Sequence, residues 1–79
     1  MGEVIHLINT VIGHNIQCRM REQRLTLTEL ARRSNMRKGQ LSEIANGKNS
    51  HPSVWTMAKI ASGLGCAVDD LITVGSWDD

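Results

Sequence analysis

Residues 26–48 read TLTELARRSNMRKGQLSEIANGK, and their spacing predicts two short helices joined by a tight turn. Thr26 and Glu29 have the T-x-x-E spacing of a capping box, in which hydroxyl and carboxylate each accept from an otherwise orphaned backbone N–H at a helix start. Leu27, Leu30 and Ala31 then face inward, while Arg32 and Arg33 face out. Ser34-Asn35 breaks the helix, because Asn tolerates the left-handed backbone that a tight interhelical turn requires. The following helix spans about 38–46, with Leu41, Ile44 and Ala45 as its buried side. Lys38, Gly39, Gln40, Ser42, Glu43 and Asn46 are left on the exposed side or its edges, and Asn46-Gly47 ends the helix.

Charge is concentrated on the same stretch. The 79 residues have a formal net charge of +1. Residues 19–48 hold eight Lys and Arg against three acids, a net of +5, whereas residues 1–18 net −1 and residues 49–79 net −3. A basic centre between neutral or acidic ends is what a phosphate-facing surface needs. The competing reading is a solvated helical face without a partner. A helix pair of this kind, carrying most of the positive charge, points to double-stranded DNA.

The flanks read as further helices. Over residues 3–23, Val4, Ile8, Ile12, Ile16 and Met20 repeat every four residues with Val11 beside them. Gly13 interrupts this run and weakens a helix by about 1 kcal/mol relative to Ala. The run is therefore one helix or two pieces, an N-terminal arm and a first core helix from about residue 13, and the β-branched arm is open to a strand reading. Beyond the loop ending at Pro52, Ser53 is a good N-cap for a fourth helix over about 54–64, with a core stripe of Val54, Met57, Ala58, Ala61 and Leu64. Gly65 closes it, and a fifth short helix over about 68–73 turns Val68, Leu71 and Ile72 inward.

Composition bounds the class. One domain fits this length, and a chain so short buries a thin core, which an all-helical fold or dimerisation remedies. Hydrophobic residues make up 41% and charged residues 22%, which argues against disorder. The apolar run 4–12 is interrupted by His6 and Asn9 and is neither a signal peptide nor a membrane span. Cys18 and Cys66 form no disulfide pattern and read as reduced core fillers in a cytoplasmic protein. His14 and Cys18 lie four apart on one helical face, a spacing that can chelate, but no second close pair follows. No metal, cofactor or enzymatic activity is expected, since no nucleophile, base and orienting group cluster and no Gly-rich phosphate loop occurs.

Five pieces in order and spacing carry a resemblance. They are I-x-x-x-M at Ile16 and Met20, L-T-x-x-E-L-A over 25–31, L-S-E-I over 41–44 with N-G-K over 46–48, P-S-V-x-T-M-x-K-I-A over 52–61, and V-D-D-L-I over 68–72. Together they cover about residues 12–72, and the chain resembles the Cro/C1-type helix-turn-helix family of phage repressors and their bacterial relatives. The resemblance implies an all-α, five-helix, lambda-repressor-like bundle whose third helix lies in the major groove while the second crosses above it. By position, Arg37, Lys38, Gly39, Gln40 and Glu43 match the family's base-reading sites. Lys38 or Arg37 would suit guanine O6 and N7, Gln40 adenine, and Glu43 a cytosine amine, while Gly39 permits close approach. Phosphate contacts are expected from Asn46 and Lys48, from the start of the second helix near Leu27 and Thr28, and from Arg32 or Arg33.

The chain departs from the family pattern at four positions. Leu27 stands where the family commonly has a Gln that braces the reading helix, and Arg24 where Gly is frequent. Arg37 replaces a Ser or Thr cap, and Ala45 replaces an acid.

Outside the motif, Trp55 falls beside the inward stripe of its helix, as a core-edge residue or a protein contact. The division expected is an arm over 1–11, the helix-turn-helix domain over 12–73 and a tail over 74–79. Val4, Ile5, Ile8, Trp55 and Trp77 are the expected dimer contacts. The implied function is a homodimeric transcriptional regulator, a repressor or autoregulating controller on a palindromic operator. RNA polymerase is a further partner if the protein activates. The rivals are an antitoxin that also grips a toxin and a protein-interaction module without DNA binding.

Overall fold

The computed structural model describes residues 2–48 and 52–73. Five helices follow one another: α1 (Gly2–Gln23), α2 (Leu27–Arg33), α3 (Lys38–Ala45), α4 (Val54–Leu64) and α5 (Val68–Ile72). There is no strand among the described residues. One core joins them, with Ile16, Leu30, Leu41, Ile60 and Leu71 fully buried. Helix α1 packs on α3 and α5, α2 on α3 and α4, and α4 on α5.

Each of the first four helices stops the same way. Arg24, Asn35, Gly47 and Gly65 take left-handed φ values of 56°, 55°, 72° and 72°. Behind each, two N–H groups fold back onto the last turn, as in Met36 N to Ala31 O at 2.9 Å and Asn35 N to Arg32 O at 3.2 Å. This is the Schellman arrangement, which satisfies carbonyls the helix leaves orphaned. Arg24 thus closes its turn in the conformation a glycine would use, at the steric cost of a Cβ. The helix starts are fixed by side chains: Thr26 Oγ1 accepts from Glu29 N, and Ser53 Oγ accepts from Thr56 N, both at 3.1 Å.

Helix α1 runs unbroken through Gly13, so neither the two-piece reading nor the strand reading of residues 4–12 is what forms. The reason is a close contact. A Cβ on Gly13 would stand 2.7 Å from the Ala45 carbonyl oxygen and 3.1 Å from Gly47 N. Glycine's helical penalty of about 1 kcal/mol is offset by letting the end of α3 settle onto α1.

Three amides of α1 complete the arrangement. Asn15 Nδ2 donates to Leu71 O and Thr73 O at the end of α5, at 2.9 and 3.1 Å. Gln17 Nε2 donates to Ala45 O at the end of α3, and Gln23 Nε2 to Leu64 O at the end of α4, at 2.7 Å. Helix C-termini leave carbonyls without intrahelical partners, so each amide meets a need that already exists.

The α4 stripe is shifted from its expected register. Met57, Ile60, Ala61, Gly63 and Leu64 are buried, while Val54 is 79% exposed and Ala58 faces solvent. Gly63 sets this rotation: a Cβ there would lie 2.3 Å from Ser34 Oγ and 3.1 Å from Leu30 Cδ1, so α2 lies directly against it. Ile72, expected inward, is 49% exposed, and Leu71 holds α5 to the core in its place. Cys18 and Cys66 are half-buried free thiols, and of the two Cys66 packs against the core, as expected of a small filler. Burial raises the Cys66 thiol above its ordinary pKa.

Replacing Gly13 with Ala tests the α1–α3 contact. Helix propensity returns about 1 kcal/mol, but the backbone it meets cannot yield, and overpacking costs about 1–3 kcal/mol. The melting temperature is expected to fall, by about 4–8 °C per net kcal/mol lost. A rise in melting temperature would show that the two helices stand farther apart.

Candidate nucleic-acid interface

The start of α3 is built to present groups outward. Arg37 occupies the N-cap position with an extended backbone and makes no side-chain capping bond. Helix α3 has no acid in its first turn to occupy the positive end of its dipole. Leu41, Ile44 and Ala45 are buried, which turns the opposite flank to solvent. Arg37, Lys38, Gly39, Gln40, Glu43 and Asn46 are all exposed, and Ser42 is half-buried at the edge. The five residues expected to read bases are therefore all accessible, at the start and on the outer side of α3. A Cβ on Gly39 would meet nothing within 4 Å.

The far end of α3 is fixed in two ways. Lys48 N donates to Glu43 O at 2.8 Å and Gly47 N to Ile44 O at 3.1 Å, which closes the turn. Asn46 Nδ2 donates to Ser42 Oγ at 3.3 Å, so this side chain is partly occupied within the helix. Lys48 is exposed just beyond.

Helix α2 contributes less uniformly than expected. Thr28 is exposed in its first turn. Leu27 is half-buried against the core, in the seam lined by Met20, Ser42 and Ala45, so its side chain offers nothing to a phosphate. Where an amide would brace α3 by hydrogen bonding, Leu27 braces it by apolar contact. The polar brace sits instead at Gln17, on α1. Sequence reasoning missed Gln17, since its partner lies 28 residues away and its one signal is an amide next to an apolar helical stripe.

Arg32 and Arg33 are exposed, but both are engaged by Glu29. Arg32 forms a bidentate pair with the Glu29 carboxylate, and Arg33 Nε approaches it at 3.4 Å. The bond from Arg32 is the main cause that holds the Glu29 carboxyl below its ordinary range, and the same bond raises Arg32. This carboxylate, placed by the sequence in the reciprocal arm of a capping box, is turned to the two arginines. Of the other basic residues, Arg19 stands 3.8 Å from Asp70, away from α3 on the α1–α5 side.

Because the folded pKa of Glu29 is depressed, its ion pairs contribute above the unfolded value and are lost as pH falls through the folded one. A carboxyl-carbon NMR titration should give Glu29 a midpoint below that of an unperturbed glutamate. In Arg32→Ala the midpoint should move back up toward about 4.3. A wild-type midpoint at or above that value would remove the Arg32 pair.

Of the expected dimer contacts, Ile8 is 49% and Trp55 75% exposed. Val4 and Ile5 belong to the first turns of α1, where the backbone is described, and Trp77 lies outside the described residues. No group of three or more potential metal ligands, and no helix long and apolar enough to cross a membrane, occurs among the described residues. Cys18 Sγ and His14 Nε2 do approach to 3.3 Å, which keeps the pair as a local contact.

No curated protein and no solved structure matches the chain. The family model for the Cro/C1-type helix-turn-helix DNA-binding domain matches residues 15–74, from the middle of α1 to just beyond α5. Match, helix order and the outward flank of α3 agree, and the chain belongs to the Cro/C1-type helix-turn-helix DNA-binding family.

Proposed function

We propose that the protein is a sequence-specific regulator that binds a palindromic operator as a homodimer and represses transcription, its own included. The observation that carries this reading is the flank of α3, where cationic, amide and carboxylate side chains stand exposed together at helical spacing. In a major groove each base pair shows its own donor and acceptor pattern, so such a mixed flank discriminates where a purely basic one would only adhere. Lys38 and Arg37 suit guanine O6 and N7, Gln40 the two-point edge of adenine, and Glu43 a cytosine amine. Lys48, Thr28 and the free N–H groups at the start of α2 suit phosphates and set register rather than sequence. Leu27 takes part there only through its backbone. Two-fold symmetry would place two α3 helices about 34 Å apart, one turn of duplex.

Recovery of bound duplexes from a random library should yield one preferred site with inverted half-sites at that spacing. A pool with no preference at low salt would defeat the assignment in favour of a protein-interaction module.

The engaged arginines give a further expectation. Glu29→Gln removes the carboxylate that neutralises Arg32 and Arg33, so duplex affinity should rise. The log–log salt dependence should steepen by about 0.9 for each phosphate newly contacted. Unchanged affinity and slope would take both arginines out of the interface. Lys48→Ala should weaken all duplexes alike, whereas Gln40→Ala and Glu43→Ala should each change the preferred base at one position by about 1–3 kcal/mol. Equal losses on selected and random DNA for all three would contradict these roles.

A further inference from the structure

The outward face of α4 carries Trp55, Ala58, Lys59 and Ser62 at the spacing that stacks side chains along a helix. With Arg33 at the end of α2 they line an open groove between the two helices. The small Ala58 and Ser62 separate the larger residues. The Trp55 indole is 75% exposed beside it, and Val54 next to it is 79% exposed, so the fold does not use this aromatic surface. Lys59 makes no ion pair among the described residues, and Arg33 shares its one carboxylate with Arg32. The groove is therefore apolar at one end and cationic along its rims.

The chain itself contains a segment of the complementary kind. Residues 75–79 read GSWDD, an indole followed by two carboxylates. The chain has two Trp and neither Phe nor Tyr, so Trp77 is the sole residue of this type outside the described ones. Thr73 is tied to α1 through Asn15, and no residue of α1 or α5 lines the groove. From Thr73 the chain reaches Trp77 in four residues, about 14 Å at full extension. Thr73 thus stands on the α1–α5 side, while the groove lies between α2 and α4.

We propose that the 75–79 segment of one copy docks in the α2–α4 groove of a second copy, with Trp77 against Trp55 and Asp78 and Asp79 against Lys59 and Arg33. The exchange is reciprocal, as a two-fold pair requires. The inference rests on the homodimer reading and specifies where that dimer is held.

Sedimentation equilibrium of the full wild-type chain tests it, alongside 19F spectra of the same chain labelled with 5-fluorotryptophan, in which the Trp77 resonance is the one lost in Trp77→Ala. The Trp77 resonance should be shielded from solvent where the mass is dimeric and open to solvent where dilution gives monomer. Trp77→Ala should weaken self-association by at least about tenfold, as loss of a central aromatic anchor does. Lys59→Glu should weaken it by roughly tenfold, with recovery when Asp78→Lys and Asp79→Lys are added to the same chain. A dimer with an exposed Trp77, or one that survives Trp77→Ala, overturns the docking and leaves the homodimer standing. A Trp77 that is buried in the monomer shows the tail on its own chain and overturns exchange. A monomer at all concentrations overturns both this inference and the homodimer while leaving DNA binding untouched.

Discussion

Helix α1 works as a spine, and the placement of α3 depends on its contact with that spine. Gly13 removes the side chain that would hold α3 away, and Gln17 then reaches the Ala45 carbonyl left unsatisfied at the end of α3. The two act on the same oxygen, one by permitting approach and the other by making it favourable. Asn15 and Gln23 repeat the second device at the ends of α5 and α4. A net hydrogen bond contributes only about 1 kcal/mol, yet a buried carbonyl left unpaired costs about 1–3 kcal/mol, so these amides matter most for what they prevent. A small core gains orientation from them that its apolar area alone would not supply.

With the end of α3 fixed to α1 and its inner side fixed by Leu41 and Ile44, the direction of the remaining flank is determined. The flank is exposed because nothing in the fold has a use for it. The uncapped start at Arg37 and the missing first-turn acid are local losses of helix stability. They make sense where an external anion or base edge supplies the partner. Glu29 acts in the opposite sense, engaging the cations of Arg32 and Arg33 within α2 itself.

Much of this was legible in the chain because local chemistry writes it. Thr26 and Ser53 mark helix starts through hydroxyls that need only the next turn, and Asn35, Gly47 and Gly65 mark stops through their tolerance of positive φ. The outward flank of α3 follows from the spacing of Leu41, Ile44 and Ala45. Arg24 is harder, because the bonds that close the turn, to Arg21 O and Met20 O, hold there a residue whose own preference is against that conformation. The register of α4 was misread because Val54, Met57, Ala58, Ala61 and Leu64 also obey helical spacing. The choice between that stripe and the observed one is made by Gly63 meeting Ser34, a contact between distant segments. The amides of α1 were invisible for the same reason, since their partners lie 28 to 58 residues away.

The central claim is that α3 offers its polar flank to a duplex while α1 holds its other side. Backbone amide chemical shifts, followed as a selected duplex is added to the labelled protein, address it most directly. The largest changes are expected over residues 37–43, with smaller ones at 27–28 and 46–48 and little at Asn15 or α5. Large changes confined to α4 and α5, with α3 unmoved, would contradict it.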